Sequence, residues 1–310
     1  MGIARAALLA LSQNQGLADL ARRSTAIRHS VRQFMPGERL DDAVEAATCL
    51  EAEGISAILT HLGENLTTPG EAEAVAQHYQ TLIDTLESRR LDALVSVKPS
   101  QLGLDLDQAL CSRYVEVLAA RAHAAGKYLW IDMEASPSVE RTLRLVHMLR
   151  QRALPVGVAV QAYLHRSAQD IGPLLDAGVS IRIVKGAYLE PAHVAIARKS
   201  EVDAQYFALA TRVLERASSG GAPVIHLATH DSRLIDRLVD FIVSRRIPGS
   251  AYEFAMLYGI RAALQRDLVA GGHRVRVLIS YGEHWFPWYM RRLAERPANL
   301  WFVVKSLGAQ

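Results

Sequence analysis

Short apolar runs of four or five residues recur along most of the chain, and a longer stretch of helical apolar spacing follows each one. The runs fall at residues 55–59 (ISAIL), 94–97 (LVSV), 128–131 (YLWI), 156–160 (VGVAV), 181–184 (IRIV), 224–227 (VIHL), 252–256 (YEFAM) and 275–279 (VRVLI). Runs this short, rich in β-branched residues, read as buried strands. The stretches between them predict helices over 71–86, 107–125, 138–152, 168–175, 200–217, 232–244 and 260–270, with a last helix over 288–295 ended by Pro297. Strands that alternate with helices imply a parallel sheet, because parallel neighbours need a crossover. Eight such units predict an α/β fold, a (β/α)₈ barrel. No G-x-G-x-x-G follows the first run, so the dinucleotide fingerprint of a doubly wound sheet is missing. Residues 1–50 read as helical, with apolar spacing at 6–20 and 40–50 and a break at Pro36-Gly37. The expected division is a helical leader over 1–50 and a barrel catalytic domain over 51–310.

Polar residues gather at one end of these units. Glu64, Lys98, Asp132, Glu134, Gln161, Lys185, Thr229 and His230 all stand at or just after the last residue of a run. In a barrel that end is the catalytic face. The last unit leads into YGEHWFPWYMRRLAERPAN at 281–299, opening on a turn signal at Tyr281-Gly282. Arg291 and Arg292, adjacent on a helix, point about 100° apart and can share one ligand lying between them. A guanidinium fork suits a carboxylate. Trp285, Phe286, Trp288 and Tyr289 could wall off an apolar body beside it. The segment suggests a pocket for a small molecule with one apolar and one carboxylate end; the bland alternative is a solvated helix face.

Composition narrows the field. Half of the 310 residues are apolar, so a large core is within reach. Lysine and arginine number 35 against 32 acidic residues, mixed along the chain, which argues against nucleic acid as a partner. Cys49 and Cys111 have no metal-like spacing and suit a reducing compartment. No apolar run approaches the roughly 20 residues of a membrane span. Residues 1–11 read as an amphipathic helix rather than a signal peptide, and Ala6 breaks the myristoylation pattern that Gly2 would begin. The histidines lack H-E-x-x-H, and His226 and His230 lie on a strand-to-loop segment, so no metal is expected. Lys98 or Lys185 could serve as the Schiff-base lysine of an aldolase. Equally, Lys185-Gly186-Ala187 with Arg182 could hold an anionic cofactor. Residue chemistry alone leaves these open.

Seven segments carry a resemblance. They are SVKPSQLG (96–103), IDME (131–134), VQAYL (160–164), IRIVKGAY (181–188), LATHD (227–231), YEFAMLYG (252–259) and YMRRLAE (289–295). In this order the chain resembles the proline dehydrogenases, flavin enzymes found alone or as the first catalytic domain of bifunctional proline utilisation proteins. The resemblance implies a distorted (β/α)₈ TIM-type barrel whose last helix lies over the mouth. It implies FAD as cofactor and oxidation of L-proline to 1-pyrroline-5-carboxylate, with hydride passing to flavin N5 and electrons to a quinone. It also implies a cytoplasmic protein with peripheral contact at the inner membrane face, and a pyrroline-5-carboxylate dehydrogenase as the taker of the product.

By the same resemblance, Asp132 and Arg182 are catalytic. Lys98, Leu257 and Leu278 face the substrate, Arg291 and Arg292 grip its carboxylate, and Glu64 pairs with the first arginine to close the site. Met133, Gln161, Arg182, Lys185, Gly186, Ala187, Tyr188, Thr229 and His230 match flavin-binding positions. Most relatives carry tyrosine at Leu278 and proline at Ser280. Asparagine is common at Asp231, aspartate at Thr60 and tryptophan at Leu189. A barrel that binds without catalysis is the alternative that Leu278 raises.

Overall fold

The computed structural model describes residues 16–17, 21, 24–63, 66–217 and 224–295, apart from the side chains of residues 26, 291 and 293–295. Eight parallel strands pair in chain order and close on themselves: β1 (Ser56–His61), β2 (Ala93–Val97), β3 (Leu129–Ile131), β4 (Val156–Gln161), β5 (Ser180–Val184), β6 (Ile225–Ala228), β7 (Tyr252–Leu257) and β8 (Val275–Tyr281). Closure pairs β8 with β1, from Ser56 opposite Arg276 to His61 opposite Tyr281. Both faces of the sheet are covered, which is why β2 and β4 are buried at every residue and read as mostly apolar runs, with Ser96 and Gln161 the polar exceptions.

Ten helices surround the strands. They are α1 (Thr25–Arg32), α2 (Leu40–Ala52), α3 (Pro69–Ser88), α4 (Gln108–Ala124), α5 (Ser136–Gln151), α6 (Ser167–Asp176), α7 (Lys199–Ala217), α8 (Ser232–Arg245), α9 (Ala262–Ala270) and α10 (Trp285–Glu295), counted among the described residues. Local chemistry sets their starts. Thr68 and Glu71 form a reciprocal capping box ahead of α3, with Pro69 in its first turn. Asp107 accepts from the N–H groups of Ala109 and Leu110 to begin α4.

One local expectation changes. Tyr281 is the last residue of β8 and fully buried, not the first of a turn. Its ring packs on His61 and His78, and its hydroxyl meets His78 Nε2 at 2.8 Å. Long-range pairing with β1 therefore overrides the turn signal. Gly282 makes the turn alone at φ +124°, where a side chain would press on the His61 ring.

The described part of the first fifty residues is bound into the fold. Ala43, Val44, Ala46 and Ala47 of α2 belong to the main core, and this helix runs past residue 50. Ile27, Val31 and Met35 pack on Trp285, Phe286, Tyr289 and Met290 of α10 in a second core. Ser30 and Tyr289 share a hydrogen bond of 2.7 Å, and Trp285 Nε1 donates to Glu38 at 2.8 Å. The helix expected over residues 1–11 lies outside the described residues. Among the described residues, no helix is long and apolar enough to cross a membrane.

The barrel interior is partly charged. His226, Glu253 and Arg276 stand on neighbouring strands and are all buried. Buried charges persist only when paired. Glu253 is held by Arg276 and Arg274, and it lies 3.2 Å from His226 Nε2. Arg276 also donates to Ala57 O at 3.1 Å and reaches Asp92 at 3.3 Å. Beside this cluster Trp130 fills the interior with Ile58, Leu94 and Leu278. Gly157 faces Trp130 across the β3–β4 pair, and any side chain there would overlap the indole.

Candidate active site

The C-terminal strand ends open into a cavity of about 640 Å³. That volume lies within the range of small-molecule sites. Lys98 enters from the end of β2, Asp132 and Met133 from β3, and Gln161 from β4. Arg182 comes from β5, with Lys185, Gly186, Ala187 and Tyr188 just beyond it. Thr229 and His230 follow β6, Leu257 ends β7, Leu278 stands on β8, and Arg292 descends from α10; all of these line the one cavity. Trp288 joins Arg292 in the lining, so α10 covers the mouth, and the guanidinium lies 6.0 Å from the Trp288 ring. Glu64 and the side chain of Arg291 lie outside the described residues.

Glu134 stands apart from this set. It does not line the cavity. Its carboxylate accepts from the N–H of Ser100 at 2.9 Å and from the hydroxyl at 2.5 Å. Its carbonyl accepts from Gln161 Nε2 at 2.9 Å. Burial raises its pKa against those bonds. Glu134 therefore braces the β2 and β4 ends, and a strand-end position by itself does not distinguish this from a lining role.

Arg182 is 4% exposed, as buried as Arg276 in the same wall. Its Nη2 pairs with Asp132 and donates to Ser96 Oγ at 3.2 Å. Ser96 in turn donates to Asp132 at 2.8 Å, closing a triangle. Its Nη1 is buried with no hydrogen-bond partner among the described residues. A buried cationic donor left open costs free energy unless an acceptor meets it. Nη1 is sealed from the cavity as well, so Arg182 offers the wall its positive charge rather than an open donor.

Lys185 has a different surrounding. Its ammonium lies 2.5 Å from Asp203 and 3.0 Å from Asp231, and Lys199 contacts the same two carboxylates. For Asp231, burial alone would raise the pKa; hydrogen bonds and charge from Lys185 and Lys199 outweigh it and hold the group at about 2. A nucleophilic lysine stands in an apolar or cationic setting, not between two carboxylates. Lys199 and Asp203, four apart at the start of α7, carried no signal in the sequence beyond a helical i,i+4 pair.

Two backbone features shape the far wall. Gly186 has φ +114°, and a side chain there would overlap the Tyr163 ring, so only glycine fits. The N–H of Leu257 donates to His230 Nε2 at 3.3 Å. That bond assigns the ring proton to Nδ1. Phe34 also lines the cavity, from the segment that follows α1. Nothing in its sequence setting marks it; it arrives because α1 packs on α10. Among the described residues, no group of three or more His, Cys, Asp or Glu side chains is placed to hold a metal.

Known proteins resemble this chain over most of its length. The profile of the proline dehydrogenase family matches residues 43–305. Proline dehydrogenase 1 of Bacillus subtilis subsp. natto is 36% identical over 303 residues, covering 98% of each chain. The proline dehydrogenase of Deinococcus radiodurans is 36% identical over 308 residues, covering 98% of this chain and 97% of that one. Among solved structures, proline utilization A (PutA) from Bdellovibrio bacteriovorus, inactivated by N-propargylglycine, aligns over 87% of this chain with a TM-score of 0.80 at 22% identity. The chain spans 33% of that protein's length, and the likeness bears on the fold.

Proposed function

The chain belongs to the proline dehydrogenase family, and on that premise we propose that it oxidises L-proline to 1-pyrroline-5-carboxylate with FAD held in the barrel mouth and a quinone as electron acceptor. Arg182 carries the cofactor reading: a buried guanidinium in the cavity wall suits a ring that gains negative charge on reduction. Gly186 lines the cavity too, and its missing side chain lets the Tyr163 ring pack against the backbone there. Gln161, Thr229 and His230 offer polar groups, and Met133, Ala187 and Tyr188 offer contact surface, so the lining fits FAD. FAD held by these residues would supply a hydride acceptor for the ring carbon beside the proline nitrogen.

The chain's own residues bind and orient. Arg292, with Arg291 beside it, grips the substrate carboxylate as a charge-assisted pair. Leu257 and Leu278 supply apolar surface for the pyrrolidine ring, and Lys98 adds a cation from the β2 end. Asp132 fixes Arg182 by their ion pair. Glu64 pairs with Arg291 to close the site. Holding the carboxylate at one end and the ring at the other orients the reacting carbon. Electrons leave to a quinone at a peripheral membrane contact on the cytoplasmic face, and the product passes to a pyrroline-5-carboxylate dehydrogenase.

The purified protein is expected to show a flavin band near about 450 nm that bleaches on anaerobic addition of proline. Acid precipitation should release all the colour into the supernatant, because no cysteine or histidine stands in an attachment motif. A colourless protein that FAD cannot reconstitute would sink the reading, and colour left in the pellet would sink the non-covalent part.

Asp231 gives a graded test of the same wall. Asp231→Asn removes one of the two carboxylates on Lys185. More of the ammonium's charge is then available to cofactor phosphates. Apoprotein titrated with FAD, followed by flavin fluorescence, should bind roughly two- to fivefold more tightly, the scale of one partly exposed ion pair. Unchanged or weaker binding would place the phosphates away from Lys185.

A further inference from the structure

Beneath Arg182 lies an indole with no part in the scheme above. Trp130 is completely buried, and its Nε1 has no hydrogen-bond partner among the described residues. A phenylalanine or leucine would fill much of the space without burying an open polar group, so the hydrogen bond is not what places an indole here. The ring face is what the surroundings use. The Arg182 guanidinium carbon stands 5.0 Å from the ring centroid, within reach of a cation–π contact. The His226 ring also packs on the indole, at 4.3 Å and 45°. Burial lowers the His226 pKa to about 4, so this neighbour is neutral near pH 7 and does not compete as a cation. On the adjacent strand, Gly157 leaves the room that the ring needs.

The anchors on Arg182 show what that face accomplishes. Asp132 and Ser96 both hold Nη2. A planar group tied at one nitrogen can still swing about that tie. The indole beside the guanidinium limits that swing and keeps the positive charge in the cavity wall. We propose that Trp130 is a positioning residue for proline oxidation, acting through its indole to hold the Arg182 guanidinium and its positive charge in the wall that faces the flavin. The inference rests on the FAD reading above.

The test uses the holoenzyme and reads the flavin reduction potential, not turnover alone. Trp130→Phe keeps an aromatic face; Trp130→Leu keeps apolar bulk without one. The leucine variant should have a more negative potential, because the reduced ring loses part of its nearby positive charge. Its rate of flavin reduction by proline should fall about fivefold with KM little changed. The phenylalanine variant should lie close to the parent in both. Fluorinated tryptophans placed at position 130 alone weaken the face in steps while keeping its shape, so they report even if the leucine variant fails to fold. The potential should fall in the order of fluorination. A potential indifferent to fluorination, or equal shifts in the phenylalanine and leucine variants, would overturn the role of Trp130 while leaving the FAD reading intact. A parent protein that binds no flavin would overturn both.

Discussion

Glu253→Ala is expected to destabilise the protein by about 3–5 kcal/mol, the cost of stranding a buried charge without its partner. Glu253 is 2% exposed and Arg276 4% exposed, and the carboxylate is the strongest link between Arg276, Arg274 and His226. Asp92 and the Ala57 carbonyl remain to Arg276, but neither replaces the lost charge inside the barrel. Urea or thermal denaturation measures the loss. Glu253→Gln keeps the shape and should cost less. A midpoint for Glu253→Ala within experimental error of the parent would mean that water enters the barrel floor and solvates Arg276.

The same cluster sets an acid limit. Burial alone would raise the Glu253 carboxyl, yet hydrogen bonds from His226 and Arg276 hold it well below the ordinary carboxylate range. A carboxylate depressed in the folded state stabilises above its unfolded pKa, and that contribution is lost as pH falls through the folded value. His226 acts in the same direction. Its folded pKa is about 4 against 6.5 for the free side chain. The unfolded chain takes up this proton first, so stability falls from about pH 6.5 down to about pH 4, by roughly 3 kcal/mol for a fully buried imidazole. The melting temperature should drop across that window, and more gently in His226→Gln.

Arg292→Ala is expected to lower kcat/KM for proline about ten- to a hundredfold while FAD stays bound. A charge-assisted hydrogen bond to a buried carboxylate contributes roughly 1.5–3 kcal/mol. Arg292 lines the cavity beside Trp288, on the helix that covers the mouth, whereas the residues assigned to the flavin come mainly from the β5 and β6 ends. Loss of substrate grip and retention of cofactor should therefore separate. Arg291→Ala should behave alike, and Glu64→Ala should cost less because the carboxylate grip survives. Steady-state kinetics with the flavin spectrum of each variant decides it. Near-normal efficiency in both arginine variants would return α10 to a solvated-face role and move the substrate site elsewhere.

Runs such as VGVAV and IRIV were legible as strands because a parallel strand covered on both faces needs little more than consecutive apolar residues. The polar residues after them were legible as one set because a closed parallel barrel brings all its strand ends to one rim. Periodicity carries no such information about pairing across the barrel. Tyr281 looked like a turn until β1 was beside it, and Glu134 looked like its neighbours until Ser100 was found on its carboxylate. Trp130 read as one more apolar strand residue; only closure of the barrel put its ring beneath Arg182 and Gly157 opposite it. Phe34 reached the cavity through the packing of α1 on α10. Asp203 and Lys199 reached Lys185 and Asp231 across the β5 and β6 ends. Local chemistry and period belong to the sequence, because they depend on neighbours within a turn or a strand. Which buried side chain meets which depends on contacts between residues dozens to hundreds of positions apart, and those exist only once the barrel has closed.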